Sequence, residues 1–356
     1  MDAAAITDGL ARWVATAPVL PGVATDPATA RLCRRALAAW SAPDALAGKL
    51  ASELVAPWQP LGRVLVVVSE HDVLGTIGAV LAALATGNQV RVKARTTRPL
   101  IEALLAALAP PAGACEVLDW DSRGQDDAAL LADVDAVLIA GGDAAIRHYR
   151  AATAPGVRLI EFGPRLGVAA IAGVVDDPTE LAQLAAALAH DATVFDAGVC
   201  TTPQLVLVED AATARALATA LLAASLPPLT TEARLLNVVR ARELTLRGRL
   251  DRSITVALDP TSGWGVTITG SIDPTLRLPR GVALVVGPLA ARLDEVARGY
   301  RHQRQTLGTW GPVPEAVGYT HRCRLGRMHE RALTAPHDGM FELAMLVRFV
   351  SREADA

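Results

Sequence analysis

A chain of 356 residues with Lys+Arg 34 against Asp+Glu 37 is long enough for two hydrophobic cores. Its charges are interspersed, which excludes the basic footprint that nucleic acid or an anionic membrane surface requires. Hydrophobic residues make up 51% and aromatics only 4%, so the apolar mass is largely Ala, Leu and Val, suited to helices packed on buried parallel strands.

The N-terminus carries Asp2 where a signal peptide needs a basic residue, and no apolar run is long enough to span a bilayer, so a soluble protein is expected. Residues 27 to 56 follow an amphipathic helical pattern, broken by "APWQPLG". "RVLVVVSE" then reads as a strand from Arg63, "GTIGAVLAALATGN" as a buried helix ending at Gly87-Asn88, and "QVRVKA" as a second strand. "PLIEALLAALAPP" repeats the helix, "CEVLDW" the strand, and "ADVDAVLIAGGDAAIRHYRAA" gives strand, Gly-Gly turn and helix before the strand "VRLIEFG". Strand and helix alternate throughout, so residues 1–165 are expected to hold N-terminal helices and a doubly wound nucleotide-binding domain with its ligand at the carboxyl ends of the strands.

A second α/β region is expected over 166–320. It contains "LGVAAIAGVV", the helix "DPTELAQLAAALAHDA", a cysteine loop, the strand "PQLVLVE", a helix at 211–225 and a more strand-like stretch beyond. Residues 321–356 are expected to return and complete a sheet or an oligomer interface.

The turns hold the candidate residues. Gly141 and Gly142 separate a strand from a helix, so backbone N–H groups there are placed to face a phosphate or a cofactor ring; an ordinary tight turn is the competing reading, and the turn alone favours it. Lys93 closes a strand in "VRVKARTTRP", where a cation reaches the hydroxyls or 2′-phosphate of a ribose, or else is a solvated charge. Cys200 follows Gly198 in "FDAGVCTTPQLVLVE". A glycine-hinged loop exposes a thiol and lets backbone N–H groups stabilise its thiolate, whereas a structural cysteine is simply a small hydrophobe. The four cysteines, Cys33, Cys115, Cys200 and Cys323, form no CxxC pair, which disfavours a disulfide framework or a zinc site and suits a reducing cytoplasm. His71, His190 and His337 each precede an aspartate, a pairing too common to suggest a dyad; they read as structural or exposed.

In order and spacing these stretches resemble the aldehyde dehydrogenase superfamily: "ATGNQVRVK" matches its glycine-asparagine turn and ribose-binding lysine, "IAGGDAAIR" its nicotinamide turn, "LIEFGPRLG" the segment holding its glutamate, and "DAGVCTTPQ" its nucleophile loop. Within it, "GGDAAI", "CTTPQLVLVE", "RQTLGTWG" and "HDGMFELAMLVRFVS" resemble the LuxC family of acyl-CoA reductases, the fatty acid reductases of bacterial luminescence. The resemblance covers most of the chain beyond about residue 55.

It implies an aldehyde dehydrogenase-like α/β fold, a Rossmann-like cofactor domain beside a second α/β catalytic domain, and a homo-oligomer. It also implies reduction of an acyl thioester, on coenzyme A or a carrier protein, to an aldehyde through an acyl-enzyme on Cys200. An acyl-activating or carrier protein becomes a candidate partner. Glu161 stands where the oxidising enzymes keep the base for hydrolysis, or is a strand-end carboxylate without a catalytic role. Thr96, three residues beyond Lys93, stands where NAD-preferring members carry a glutamate; with Arg95 beside it, the resemblance points to NADPH. "SEHDV" replaces the family's Trp-Asn-Phe-Pro stretch, so an oxyanion relies on other donors such as the Cys200 N–H, and Ser69, opening that stretch, joins the cofactor-binding set. The second glycine of the nicotinamide turn is missing from "GGDAAIRH". Two rivals remain: a hydrolytic aldehyde dehydrogenase using Glu161, and a non-catalytic subunit holding an acyl-carrier partner.

Overall fold

The computed structural model describes residues 1–16, 26–120, 127–224, 226–251 and 253–351. Two compact units emerge, residues 1–164 with 331–356, and residues 165–330.

In the first unit, helices α1 (Ala3–Thr16), α2 (Pro27–Trp40) and α3 (Ala45–Glu53) precede a short strand β1 (Trp58–Pro60). The helical stretch expected over 27–56 thus divides at Ser41–Asp44, because Pro43 brings no N–H for a continuing helix. There follow β2 (Arg63–Val67), α4 (Val73–Ala85), β3 (Gln89–Ala94), α5 (Arg98–Leu108), β4 (Cys115–Asp119), α6 (Ala128–Leu131), β5 (Ala136–Ala140), α7 (Asp143–Ala152) and β6 (Arg158–Phe162). The five longer strands form one parallel sheet ordered β4-β3-β2-β5-β6. Its centre is β2, whose Val64, Leu65 and Val66 are wholly buried, as a β-branched run covered on both faces requires. Helix α4 is apolar all round and almost entirely buried; Asp72 caps its start by accepting from Gly75 N–H at 2.8 Å. At its end Gly87 adopts φ 73° and Asn88 bonds Gly62 N–H and Leu346 C=O at 3.0 Å each. The glycine-asparagine turn is therefore a fastening of the fold.

The chain leaves β2 toward β3 on one side and later toward β5 on the other. That reversal makes the carboxyl edge beside β2 and β5 the place where a doubly wound sheet opens a crevice.

The second unit holds β7 (Leu166–Ile171), α8 (Pro178–Thr193), β8 (Pro203–Val208), α9 (Ala211–Ala223), α10 (Thr231–Asp251), β9 (Thr255–Leu258), β10 (Gly265–Thr269), β11 (Gly281–Val286), α11 (Leu289–Gly299), β12 (Arg304–Trp310) and β13 (His321–Arg324). The sheet runs β13-β12-β7-β8-β11-β10-β9, parallel except for β9. Alternate residues feed two cores: Val206, Val208 and Leu284 pack with Leu184 and Leu217 on one face, and Leu205, Leu207 and Val285 with Leu293 and Val296 on the other. This unit reaches Glu330 rather than 320, since Leu325 and Met328 complete the first of these cores.

The last segment rejoins the first unit through α12 (Glu342–Met345) and β14 (Val347–Phe349). Strand β14 pairs with β1 in a separate antiparallel ribbon, Trp58 opposite Phe349, and does not extend the five-stranded sheet. Buried Lys49 secures it, 2.6 Å from Glu53 and 3.3 Å from Glu342, while Leu343 N–H donates to Glu53. No helix among the described residues is long and apolar enough to cross a membrane.

Candidate active site

Every first-unit candidate falls at the carboxyl edge of the parallel sheet: Ser69 after β2, Lys93 near the end of β3 with Arg95 and Thr96 beyond it, Gly141 and Gly142 after β5, and Glu161 near the end of β6. Ser69 lines a depression with Asp72, Thr76, Ala140, Phe162 and His337, and its carbonyl accepts from Thr76 Oγ1 at 3.2 Å. His337 stacks on Phe162 with ring centroids 4.3 Å apart and bonds Glu342 at 2.7 Å.

Lys93 is not a solvated cation. Its Nζ lies 3.2 Å from the buried Asp127 carboxylate and donates to Tyr149 Oη at 2.7 Å; Asp127 also accepts from Trp120 Nε1 at 2.7 Å and meets His148 Nε2 at 2.9 Å. In this conformation the ammonium is committed to its own protein, where a ribose contact was expected.

The strand-end segment 95–97 differs more sharply from expectation. Thr96 is no open hydroxyl, because the Glu70 carboxylate accepts the N–H groups of Arg95, Thr96 and Thr97 at 2.9, 2.7 and 3.0 Å as well as the Thr96 hydroxyl. Burial disfavours the ionised form of Glu70, but these bonds outweigh it and lower the carboxyl below its ordinary range. The Arg95 side chain is exposed and pairs with no other described residue.

Glu161 is gripped by Arg150 of α7: Nε donates to Oε1 at 2.9 Å and Nη2 to Oε2. That two-pronged pair engages both oxygens of the carboxylate.

Gly141 and Gly142 both have ordinary backbone angles, for neither is among the left-handed glycines and Gly142 caps α7 at φ −73°. A side chain at 142 would meet nothing within 4 Å. The fold itself therefore does not demand glycine there, and the open space over the start of α7 is what a flat ring laid against the turn needs. This opening, with a backbone nest that already holds a carboxylate, fits the nicotinamide dinucleotide implied by the sequence.

In the second unit Cys200 stands partly exposed in the turn that enters β8, at the amino edge of that strand. The expected hinge at Gly198 has φ −94°. The sharp turn is made instead by three consecutive non-glycine residues in left-handed conformation, Phe195, Asp196 and Ala197, at φ 56°, 52° and 54°. Such conformations each cost on the order of 1–3 kcal/mol and persist where the surroundings enforce them. The surroundings are visible. Thr201 Oγ1 lies 2.7 Å from His329 Nδ1, His329 Nε2 lies 2.8 Å from the Asp191 carbonyl, and the His329 ring meets Phe195 edge-on at 5.7 Å. Since a carbonyl only accepts, Nε2 carries the proton and Nδ1 accepts from the threonine hydroxyl. Burial pushes His329 down to about 4, so it is neutral at physiological pH, and pushes Asp191 up to about 7 despite the N–H bonds from Gly326 and Met328. Asp196 also pairs with Arg280 at 2.7 Å.

Burial pushes the thiols of Cys33, Cys115 and Cys323 up to about 12, which disfavours their thiolate forms. Strand β7 comes so close to the Cys200 turn that a side chain at Gly167 would overlap the Thr202 carbonyl.

Sequence reasoning missed Glu70, Gly167, Asp191 and His329. Glu70 lies inside the "SEHDV" departure, and a carboxylate at a strand end beside β3 was the available signal; nothing in the local pattern announces His329, which lies 128 residues from its partner Thr201.

A model of the acyl-CoA reductase (LuxC) family matches residues 52–349. A long-chain acyl-protein thioester reductase of Photorhabdus luminescens is 25% identical over 154 residues, 41% of this chain and 31% of that protein, so the match spans under a third of the relative. Among solved structures, aldehyde dehydrogenase 21 of Physcomitrella patens, in complex with succinate, superposes with a TM-score of 0.72 at 13% identity, covering 98% of this chain and 85% of that one. The NADP-dependent glyceraldehyde-3-phosphate dehydrogenase of Bacillus halodurans, complexed with NADP, gives 0.71 at 12% identity over 97% and 84%. The fold is that of the aldehyde dehydrogenases.

Proposed function

The chain belongs to the acyl-CoA reductase (LuxC) family, and from that premise we propose that it reduces an acyl thioester, carried on coenzyme A or a carrier protein, to an aldehyde through an acyl-enzyme on Cys200. The observation that carries this reading is the Cys200 turn: a partly exposed thiol three residues beyond a run of left-handed residues, in a chain whose other three thiols, Cys115 and Cys323 also partly exposed, burial pushes up to about 12.

The Cys200 sulfur attacks the thioester carbonyl, the carrier's C–S bond breaks, and the carrier leaves as a thiol, transferring the acyl group to the enzyme. A reduced nicotinamide dinucleotide held along the carboxyl edge of the first unit's sheet would supply the hydride that, with a proton from solvent, converts the Cys200 thioester to a thiohemiacetal. Collapse of the thiohemiacetal breaks the bond to Cys200 and frees the aldehyde. Thr201, anchored on neutral His329, keeps the sulfur's turn in place through both steps, and the backbone N–H of Cys200 is a candidate donor to the carbonyl oxygen as charge grows on it. Nothing in this sequence needs an activated water, in keeping with a Glu161 bound by Arg150.

The test is product analysis with an acyl-CoA and a reduced nicotinamide cofactor. The expected result is aldehyde and free coenzyme A in equal amounts, abolished in Cys200→Ala. Acid formed from an aldehyde without any thiol would establish the hydrolytic reading, and failure of the chain to bind either cofactor would favour the non-catalytic one.

A further inference from the structure

Resting on the reading that a nicotinamide dinucleotide binds along the carboxyl edge of the first unit's sheet, we propose that Glu70 is the cofactor-discriminating residue, an internal carboxylate that competes with the cofactor's 2′-phosphate. Discrimination by the residue three places beyond Lys93 would leave Thr96 open to a phosphate, yet the structure gives its N–H and hydroxyl, with the N–H groups of Arg95 and Thr97, to Glu70. A carboxylate does stand at this strand end, supplied by the loop that follows β2 rather than by the residues after β3.

The nest is built for an anion. Thr97 is the N-cap of α5 and makes no side-chain capping bond; its N–H and those of Arg95 and Thr96, which lead into the positive end of the helix dipole, converge on Glu70, and the Thr97 hydroxyl reaches the same carboxylate at 3.5 Å. Arg95, exposed and unpaired among the described residues, leaves a cation beside the nest that the carboxylate does not use. A 2′-phosphate carries nearly two negative charges and seeks the same donors. It cannot share them with Glu70, because like charges in contact repel strongly at a partly desolvated site. NADPH must therefore displace Glu70, whereas the uncharged 2′-hydroxyl of NADH finds a carboxylate ready to accept from it. Glu70 lies in the loop between β2 and α4, half-buried, with Ser69 and His71 on either side, and its side chain can leave the nest without disturbing either element.

The experiment is fluorescence titration of the whole chain with NADPH and with NADH, in the parent and in Glu70→Gln, which keeps an acceptor for the N–H groups but removes the charge. Thermal midpoints verify folding, and Glu70→Ala serves if the amide variant is unstable. NADPH should bind at least about tenfold more tightly to the variant, while NADH changes by less than about threefold. Introducing Thr96→Glu into Glu70→Gln should reverse the gain by returning a carboxylate to the nest. An unchanged or weakened NADPH affinity in both Glu70 variants, with cofactor binding otherwise intact, overturns the role of Glu70 alone. Absence of binding by either cofactor to every protein removes the underlying reading of the sheet edge and the proposal with it.

Discussion

The two units hold their candidate residues by different physics. Along the carboxyl edge of the first sheet, charge meets charge or a ring of N–H groups: Lys93 with Asp127, Arg150 with Glu161, Glu70 with the start of α5. At the amino edge of β8 in the second, the Cys200 turn is held mainly by shape and by a neutral buried bond: three left-handed residues, the clearance at Gly167, and the link from Thr201 to His329. The first arrangement can exchange one anion for another and so suits reversible binding of a charged ligand. The second, apart from the Asp196–Arg280 pair, relies on packing and on a neutral bond, which would suit a sulfur that must hold one position.

The largest effect that would separate these modes is steric. Gly167→Ala places a methyl against the Thr202 carbonyl, and overpacking of this kind costs about 1–3 kcal/mol. Because the clash is with the turn that carries Cys200, the proposed nucleophile, single-turnover acylation should fall by at least about tenfold, read by quenched-flow thiol release. A near-parental rate would mean that the turn is not held by shape.

Next comes Thr201→Val, which removes the hydroxyl and strands His329 Nδ1 in a buried site. An unsatisfied buried acceptor costs about 1–3 kcal/mol. Denaturant unfolding should show that loss, and acylation should slow while NADH affinity stays put. Loss of both together would contradict the separation of the two regions.

A pH experiment sharpens the same point. His329 is lowered to about 4 in the fold, so between pH 6.5 and 4 the unfolded chain gains a proton that the native one refuses, and stability falls on acidification. Asp191 is raised to about 7; between about pH 4 and 7 the native chain keeps a proton that the unfolded one has lost, so stability rises on acidification. The two contributions oppose each other in the parent. His329→Gln should therefore gain stability from pH 7 to 5 relative to the parent, and Asp191→Asn should lose it, each by on the order of 1 kcal/mol per pH unit. Slopes of the same sign would refute the assignment of both as neutral buried groups.

The smallest effect concerns Glu161→Gln, which disrupts an exposed pair with Arg150. Exposed pairs contribute little, and single-turnover acylation should stay within about twofold of the parent. A collapse of acylation in a folded variant would make Glu161 the base that activates the thiol.

The contrast also explains what could be read in advance. Alternating strand and helix patterns located the elements of the first sheet, and because a doubly wound sheet sends its turns to one edge, Ser69, Lys93, Gly141 and Glu161 could be placed there from order alone. Their partners could not, since Asp127 and Glu70 come from other segments and meet Lys93 and Thr96 only when the strands align. The Cys200 turn shows the limit more plainly. Gly198 was the visible hinge, yet the bend belongs to Phe195, Asp196 and Ala197, of which only Asp196 has any local preference for left-handed angles. Only packing against His329 and β7 explains it, and packing between distant segments leaves no periodicity to read.

The central claim is that Cys200 alone carries the acyl group. Exposing the parent, Cys200→Ala and Cys323→Ala to a panel of acyl thioesters without reductant, followed by intact-protein and peptide mass spectrometry, tests it most directly. A single acyl mass is expected on the peptide containing Cys200 in the parent and in Cys323→Ala, and none in Cys200→Ala. Acyl label that persists in Cys200→Ala, on any other residue, would contradict it.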